Sequence, residues 1–581
     1  MSEPTSQGES VIDKAKGGVR PSVTIESMQF SDGTVVALQP NDIVLFVGPN
    51  NAGKSLALRD IQEHIGVATK RKVVTSATLR RSGTIEEYRE FMRSVSRIDG
   101  DSRNQQYRGY GWAVPATHVD HAWQNDLSHV RSLFCLRIPT ETRITASNAA
   151  PAIAVLENPL SHPIHMLYFD DRIEKRMSGY FRQAFGEELI VFRLGGSTWP
   201  LLVGARPAVQ AGEDRVSATY NERLKNNTTP LSEQGDGMRS FASVILHMLA
   251  PDTPSILLLD EPEAFLHPPQ ARLLGEFIAK ERPARAQLFI ATHSPDVLQG
   301  LLNAAPDQLR VIRLQRDGQV NRVKELDKAH ARELNADPVM KFTSVLSGIF
   351  HQRVVICESD ADCMFYSAIL DIPSVRGPQN PDVLFVHAGG KHRMAALAEA
   401  LRALDVHVDV VADFDLLNDE KVLERLVLAL GGDWEAVKTE AGPLKRSVEQ
   451  HKPWLNANEV SKGITEILGR TPPAGEFPRD LRGQIDAIFR KASPWDAIKD
   501  AGKAAIPSGQ PTKHYEELQS LCNAFGLWLV PVGQLEGFCR SEGGHGPAWV
   551  QHVMETHDLA TDEQLAEARE FVKRIWTRVT P

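Results

Sequence analysis

The chain has 581 residues, of which 42% are apolar, so it can bury cores in roughly three or four domain-sized units. Its formal net charge of −9 argues against a generally basic protein that coats DNA. No apolar run is long enough to span a bilayer, and the polar start of the chain lacks a signal-peptide core. The five cysteines lack the paired spacing of a zinc site, so the composition favours a reducing cytoplasm.

A glycine-rich loop, Gly-Pro-Asn-Asn-Ala-Gly-Lys-Ser at residues 48–55, joins an apolar run at residues 43–47 to a helical stretch. Its glycines let backbone amides surround a triphosphate, while Lys54 reaches the β and γ oxygens and Ser55 helps to hold Mg²⁺. The pattern predicts ATP binding. The candidate nucleotide contacts in this loop are Asn50, Asn51, Gly53, Lys54 and Ser55.

The next segments carry weaker signals. A basic stretch at residues 70–72 and 80–81 could meet DNA phosphates, but a solvated surface is the stronger interpretation. Between about 85 and 225, mixed helical and loop-like segments are expected to elaborate the first domain, with a dimer contact as one role. Residues 231–238 read Leu-Ser-Glu-Gln-Gly-Asp-Gly-Met, which alone indicates a helix N-cap at Ser232 beside a flexible turn.

Two apolar strands then end in polar residues. Residues 255–262 predict a buried parallel strand that ends in Asp260 and Glu261. Asp260 is a candidate ligand of the nucleotide's Mg²⁺, and Glu261 is a candidate to orient or deprotonate the attacking water. The strand within residues 287–295 ends at His293, which could contact the γ-phosphate, although a lone histidine is weak evidence.

The order of these four motifs resembles the cassette of the ATP-binding-cassette ATPases. By that resemblance, Ser232 and Gly235 complete the nucleotide site of a facing subunit, which implies a homodimer. The segment departs from the transporter form Leu-Ser-Gly-Gly-Gln, and the run Asp-Glu-Pro-Glu-Ala-Phe-Leu-His-Pro from Asp260 points to members without transporters. No glutamine-loop residue can be assigned.

The second half alternates strands and helices. One strand ends at Glu358, a second runs into Gly-Gly-Lys at residues 389–391, and a third ends in Asp413-Phe-Asp415. This pattern predicts a small parallel sheet whose acids gather at the carboxyl ends of the strands. Asp413 and Asp415 would leave the same face of an extended segment and share one cation.

With Glu358, these aspartates form an all-oxygen cluster suited to Mg²⁺ or Mn²⁺. Two such ions could activate the attacking water and stabilise the leaving oxygen when a phosphodiester is cut in line. For the Asp-x-Asp pair alone, a solvated strand end is the alternative.

Together, the Glu, Gly-Gly-Lys and Asp-x-Asp strand ends resemble the Toprim domain of topoisomerases, primases and certain nucleases. Behind an N-terminal cassette, this domain is similar to that of the OLD (overcoming lysogenization defect) family of ATP-dependent nucleases, which includes the Gabija nuclease subunit and some retron effectors. The resemblance covers about residues 22–581. It implies an α/β fold in which an ABC-type P-loop ATPase domain precedes a Rossmann-like Toprim domain with helical insertions.

The resemblance also implies particular site residues. The implied metal ligands are Glu358, Asp362, Asp413, Asp415 and Glu536, of which Glu536 would serve a second metal. A lysine that contacts the scissile phosphate matches Lys573 best, with Lys391 as a rival. The alternatives are an exposed turn acid for Glu536 and a solvated helix face for Lys573. The family commonly has Glu-Gly in its first Toprim motif, whereas Ser359 follows Glu358 here.

We therefore predict a disordered tail at 1–21, an ATPase domain at 22–345, and a Toprim domain at 350–581 with a helical insertion at about 425–510. The predicted function is a cytoplasmic ATPase and metal-dependent DNA endonuclease in antiphage defence. It would act as a homodimer or higher homo-oligomer, with a helicase, reverse transcriptase or non-coding RNA as a further partner and no membrane. The alternative is a RecF/SMC-like ATP-gated DNA clamp without nuclease activity. A topoisomerase or primase is a poorer fit, because no tyrosine domain or zinc module is identified.

Overall fold

The computed structural model describes residues 20–66, 71–99, 105–109, 112–154, 162–249, 254–326, 344–378, 381–450, 457–469, 479–490 and 494–578. Nearly all of the predicted tail, Lys70 of the basic stretch and part of the predicted helical insertion lie outside these residues. The chain divides into two compact units, Met1–Lys341 and Phe342–Pro581. Within the described part of the chain, no helix is both long enough and apolar enough to cross a bilayer.

The first unit combines strands and helices throughout its described length. Its strands are β1 (Ser22–Phe30), β2 (Val35–Ala37), β3 (Ile43–Val47), β4 (Val74–Ser82), β5 (Arg97–Asp99), β6 (Gln106–Gly109), β7 (Trp112–Pro115), β8 (Cys135–Ile138), β9 (Ala150–Pro151), β10 (Glu188–Val191), β11 (Thr198–Trp199), β12 (Leu201–Gly204), β13 (Thr228–Pro230), β14 (Ile256–Asp260), β15 (Gln287–Ala291), β16 (Leu309–Asp317) and β17 (Val320–Glu325). Its α-helices are α1 (Lys54–His64), α2 (Ile85–Val95), α3 (Val119–Gln124), α4 (Arg131–Phe134), α5 (Thr140–Arg143), α6 (Pro163–Phe169), α7 (Asp171–Phe185), α8 (Ala218–Asn226), α9 (Asp236–Leu249), α10 (Pro268–Glu281) and α11 (Pro295–Ala304).

A six-stranded sheet in the order β17-β16-β3-β15-β14-β8 organises this unit. The five strands from β16 to β8 run parallel, and β17 pairs antiparallel with β16. The strands β3, β14 and β15 are buried along their whole length, as expected for parallel strands that are covered on both faces. Because the carboxyl ends of parallel strands meet at one edge, the sheet brings together the segments that follow β3, β14 and β15.

The stretch between 85 and 225 forms small sheets and helices around this centre. The sheets have the orders β5-β6-β7, β9-β11 and β10-β12-β13. Tyr88 of α2 stacks on Trp123 of α3 with ring centroids 4.8 Å apart. On α7, the buried Glu174 forms ion pairs with Arg193 and Arg206, each at 3.0 Å. The elaboration therefore packs through apolar and ionic contacts, and its role in dimerisation stays a prediction.

The second unit contains a four-stranded parallel sheet in the order β19-β18-β20-β21. Its strands are β18 (Arg353–Cys357), β19 (Val383–His387), β20 (His407–Ala412) and β21 (Leu527–Leu529). Its α-helices are α12 (Asp360–Leu370), α13 (Pro373–Arg376), α14 (Lys391–Ala403), α15 (Glu420–Ala429), α16 (Trp434–Gln450), α17 (Ala457–Leu468), α18 (Arg479–Arg490), α19 (Pro494–Ala501), α20 (Gln510–Phe525), α21 (Gly546–Thr556) and α22 (Ala566–Thr577). The predicted mixed α/β architecture with a small parallel sheet is confirmed.

The helices α15 to α20 lie between β20 and β21 along the chain. Phe365 of α12, Trp549 of α21 and Phe571 of α22 belong to one buried apolar cluster with residues of β18, β20 and β21. The helices α12, α21 and α22 therefore cover the sheet with apolar side chains and leave the carboxyl ends of its strands for polar residues.

Candidate functional site

The glycine-rich loop wraps around the side chain of Lys54. The Lys54 ammonium donates to the carbonyl oxygens of Gly48 at 2.8 Å and Pro49 at 3.0 Å. Gly48 has a φ of 132°, and a Cβ atom there would lie 2.1 Å from the carbonyl oxygen of Leu314 on β16. Only glycine fits this approach, so the first glycine of the motif lets the loop pack against the neighbouring strand.

Asn50 and Asn51 are exposed at the turn of the loop, and Gly53 directly precedes α1. The opposite end of the loop is fixed by Asn321 of β17, whose side-chain amide donates to the carbonyl oxygen of Ala52 at 2.6 Å. Asn321 is buried, and sequence reasoning missed it because nothing in β17 points to a loop far away in the chain.

Ser55 and Asp260 meet beside this loop. The Ser55 hydroxyl donates to Asp260 Oδ1 at 2.7 Å, and Arg137 Nη2 of β8 lies 3.9 Å from Asp260 Oδ2. Burial raises the pKa of Asp260, which is the expected effect of removing a carboxylate from water. A hydroxyl and a carboxylate are oxygen donors of the kind that Mg²⁺ prefers, so the pair fits the predicted ion.

His293 lies between two acids that follow the neighbouring strand β14. Its Nδ1 atom is 3.4 Å from Glu261 Oε1 and 3.3 Å from Glu263 Oε1. The hydrogen bond between His293 and Glu261 raises the pKa of the histidine and lowers that of the glutamate. Burial raises the pKa of Glu263, which accepts hydrogen bonds from the Thr292 hydroxyl at 2.7 Å and the His293 amide at 3.1 Å. Sequence reasoning missed Glu263, although it is the second glutamate of the run Asp-Glu-Pro-Glu.

Ser232 and Gly235 lie apart from these contacts. Both are exposed, Ser232 in the short 3-10 turn Leu231–Glu233 and Gly235 just before α9. Among the described residues, neither has a side-chain hydrogen bond or ion pair to Lys54, Ser55 or Asp260. The single chain therefore assembles the loop, Asp260, Glu261 and His293, and leaves the Ser232–Gly235 segment facing outward.

In the second unit, three carboxylates converge. Glu358 follows β18, while Asp413 and Asp415 follow β20, the strand paired with it. One carboxylate oxygen from each residue lies within 4.8 Å of the others. The Asp413 amide also donates to Glu358 Oε1 at 3.2 Å.

The reason for this convergence differs from the one expected. The sequence predicts an extended segment for Asp413 and Asp415, but Asp415 lies in the 3-10 turn Phe414–Asn418. Asp413 precedes that turn with extended backbone angles. The turn, rather than strand alternation, brings the second aspartate back toward Glu358.

Two lysines neutralise part of this acidic cluster. Lys391 Nζ lies 3.5 Å from Asp415 Oδ2, and Lys499 Nζ lies 3.6 Å from Asp413 Oδ2. Burial, followed by the neighbouring negative charges, raises the pKa of Glu358 and of Asp413. Burial lowers the pKa of Lys499, but the nearby carboxylates outweigh it and raise that pKa overall. Clustered carboxylate oxygens that disfavour each other's ionisation fit a divalent cation such as Mg²⁺ or Mn²⁺.

Lys499 belongs to α19, inside the helical insertion, and sequence reasoning missed it. A Cβ atom on Gly533, in the turn after β21, would lie 2.1 Å from the carbonyl oxygen of Lys499. The helix therefore packs directly on the turn beside the acidic cluster, and this contact aims Lys499 at Asp413. No local sequence pattern records such an approach between distant segments.

Asp362 and Glu536 are not among the three carboxylates that converge. Asp362 Oδ2 accepts hydrogen bonds from the Ser359 amide at 2.9 Å and hydroxyl at 3.0 Å, so it caps the first turn of α12. Burial, together with the charge of Glu536, raises the pKa of Asp362. Glu536 Oε1 accepts from the Gly546 amide at 2.9 Å.

Lys573 is exposed on α22. Within the described residues it has no ion pair or hydrogen bond to Glu358, Asp413 or Asp415. The lysines that the structure brings to the acids are the rival Lys391 and the unpredicted Lys499.

Comparison with known proteins identifies two domain types in the chain. Residues 143–299 match the family model described as "AAA domain, putative AbiEii toxin, Type IV TA system". Residues 349–415 match the model described as "Overcoming lysogenization defect protein-like, TOPRIM domain". Among curated proteins, the Old nuclease of Escherichia phage P2 is 22% identical over 274 residues, an alignment that covers 42% of this chain and 46% of that protein. The chain thus spans about half the length of this relative.

Solved structures similar to the chain include SMC head domains. One, from Pyrococcus furiosus with an extended coiled coil and bound to the C-terminal domain of ScpA, has 11% identity, covers 54% of this chain and 98% of its own, and has a TM-score of 0.31. Another, from Thermotoga maritima, has 11% identity, covers 53% of this chain and 100% of its own, and has a TM-score of 0.28. The two family models and the curated relative, rather than these structures, show an AAA-type ATPase domain followed by an OLD-like Toprim domain, with similarity to an Old nuclease.

Proposed function

We propose that the protein binds and hydrolyses ATP and cuts DNA with a divalent metal under nucleotide control. The observation that carries this proposal is the convergence of Glu358, Asp413 and Asp415 within 4.8 Å at the carboxyl ends of two parallel strands. The curated relative is named a nuclease, and this chain shares the domain type in which such a cluster would act.

In this proposal Glu358, Asp413 and Asp415 hold one ion, and Asp362 with Glu536 contributes to a second. A bound divalent ion activates a water nucleophile and stabilises the leaving oxygen in phosphodiester cleavage. Lys499 and Lys391 would supply positive charge to the DNA phosphate, since both already lie at the acids. Lys573, on the exposed face of α22, is the remaining candidate for this phosphate contact.

In the ATPase domain, Lys54 and the loop amides would bind the phosphates, and Ser55 and Asp260 would hold Mg²⁺. Glu261 would orient the attacking water, and His293, hydrogen-bonded to it, would contact the γ-phosphate. Ser232 and Gly235 would complete the nucleotide site of a second copy, because both are exposed beside the start of α9. We therefore propose a homodimer or larger homo-oligomer.

We also propose a role in antiphage defence, with a helicase, reverse transcriptase or non-coding RNA as a further partner. The support is the family, together with the toxin named in the description of the ATPase-domain model. The five cysteines are free, which supports a reducing cytoplasm as the location. ATP would control cutting if the two nucleotide states differ in their affinity for DNA or in access to the acids.

Cleavage of supercoiled and linear DNA tests the proposal. The assay uses Mg²⁺ or Mn²⁺, with and without ATP, and compares the wild type with Asp413→Ala and Lys54→Ala. Asp371→Ala is a matched control, because this aspartate is exposed at the end of α12 and outside the acidic cluster. We expect metal-dependent cutting that is lost in Asp413→Ala, kept in Asp371→Ala and altered in its ATP response in Lys54→Ala. DNA binding without any cutting would instead favour the ATP-gated clamp.

A further inference from the structure

Arg143 is a completely buried arginine in the first unit whose role the motifs do not explain. It ends the short helix α5, which follows β8, the strand next to β14 in the central sheet. Burial lowers its pKa, and the charges of Glu263, Asp260 and Glu261 act in the opposite direction. A buried cation of this kind is costly unless its donors are satisfied, so its partners indicate why it is there.

Those partners belong to two separate elements. Nη1 donates to the carbonyl oxygen of Asp260 at 2.9 Å, and Nη2 donates to that of Glu261 at 2.7 Å. Nε donates to the hydroxyl of Ser240 at 2.8 Å. Ser240 lies in the second turn of α9, the helix that begins directly after the exposed Ser232–Gly235 segment. One rigid guanidinium therefore joins the backbone of the two acids to the first part of this helix.

We propose that Arg143 is a positioning residue that couples the start of α9 to Asp260 and Glu261. The Arg143 guanidinium, a planar fork of donors, would transmit a displacement of α9 to the carbonyl groups of both acids. Contact at the Ser232–Gly235 segment is one cause of such a displacement. The inference rests on the proposed function of ATP binding and hydrolysis at the glycine-rich loop.

The geometry separates this role from nucleotide binding. Arg143 contacts the backbone of Asp260 and Glu261, whereas their carboxylates contact Ser55 and His293. Loss of the fork would therefore misplace the acids without removing any group that holds the phosphates. A misplacement of about 1 Å costs on the order of 100-fold in rate, so hydrolysis is the sensitive readout.

Arg143→Lys is the principal variant, because it keeps the charge and loses the planar fork. Arg206→Lys is its matched control, because Arg206 is also largely buried against acids but bonds Glu174 rather than the nucleotide motifs. Ser240→Ala is a milder second variant that removes only the α9 end of the link. ATP binding, kcat and KM are measured for each protein at temperatures below its Tm.

We expect Arg143→Lys to bind ATP with wild-type stoichiometry and KM, while kcat falls about 10- to 100-fold. Ser240→Ala should show a smaller fall in kcat, and Arg206→Lys none. Wild-type kcat in both Arg143→Lys and Ser240→Ala would overturn the proposal. So would a loss of ATP binding in parallel with kcat, since that pattern marks a purely structural role.

Hydrogen exchange gives a test that does not depend on turnover. A non-hydrolysable ATP analogue with Mg²⁺ should slow amide exchange in α9 of the wild type and of Arg206→Lys, but not in Arg143→Lys, although the analogue binds. Equal protection of α9 in Arg143→Lys would reject the coupling while leaving the proposed ATPase intact. Failure of the wild type to bind the analogue would reject both proposals.

Discussion

Lys499→Ala separates two roles for a lysine beside the acidic cluster. If Lys499 contacts the DNA phosphate, the variant should cut more slowly even at saturating metal. If it acts only as a counter-ion of Asp413, its removal should change metal affinity and leave the saturated rate unchanged. The two roles therefore affect different kinetic parameters, and one metal titration distinguishes them.

The distance between Lys499 and Asp413 sets the expected size of the effect on metal affinity. Two unit charges 3.6 Å apart interact by about 5 kcal/mol at an effective dielectric constant of about 20. Because the lysine side chain is 38% exposed, solvent screening reduces this interaction to about 1 kcal/mol. Loss of the lysine charge should therefore lower the dissociation constant for the metal roughly five-fold in the variant. A hydrogen bond from an ammonium to a charged phosphate contributes about 1.5–3 kcal/mol, so its loss should slow saturated cutting about 10- to 150-fold.

The assay is the initial rate of nicking of supercoiled DNA as a function of Mn²⁺ concentration. Lys503→Ala is a suitable control, because Lys503 follows α19 but pairs with Glu567 rather than with the acidic cluster. We expect Lys499→Ala to require no more metal than the wild type. Its nicking rate at saturating Mn²⁺, the plateau of the titration, should be much lower. A wild-type plateau in Lys499→Ala, together with a collapsed plateau in Lys573→Ala, would refute the role given to Lys499.

Two further predictions concern the ATPase domain. Gly48→Ala should lower the free energy of unfolding by roughly 2–3 kcal/mol, because the new Cβ would meet the Leu314 carbonyl oxygen. Gly33→Ala, at a positive φ with open space around it, should lower Tm less, and equal losses would contradict the clash. The pKa of His293 is raised by Glu261, so this contact stabilises the fold fully below about pH 6.5 and less as pH rises through the raised value. Tm measured from pH 6 to 9 should therefore fall more for the wild type than for His293→Gln, and parallel curves would contradict the contact.

Much of the fold could be predicted from local patterns. The aliphatic runs that became β3, β14 and β15 are continuous because parallel strands are buried on both faces, so their type and ends were readable. The meeting of Glu358 with Asp413 followed from the rule that parallel strands end at one edge. The backbone conformation that brings Asp415 toward Glu358 was predicted wrongly, because a 3-10 turn replaces the expected extended segment.

Three of the residues that were missed share one property, which is contact across long stretches of chain. Arg143 reaches carbonyl groups of β14 and its following residue, and Asn321 reaches the loop after β3. Lys499 reaches Asp413 because its helix packs on the turn after β21. Such contacts depend on tertiary packing, and a buried arginine or a helical lysine has the same local pattern whether or not it reaches a site.

In the proposed function, Glu358, Asp413 and Asp415 hold the divalent ion that is used to cleave DNA. Nicking of supercoiled DNA by the wild type and by Asp413→Ala, each titrated with Mn²⁺ and checked for an unchanged ATP affinity, tests it most directly. We predict metal-dependent nicking by the wild type and its loss in Asp413→Ala while ATP binding is retained. Equal nicking by the two proteins would contradict the claim and place the metal site elsewhere.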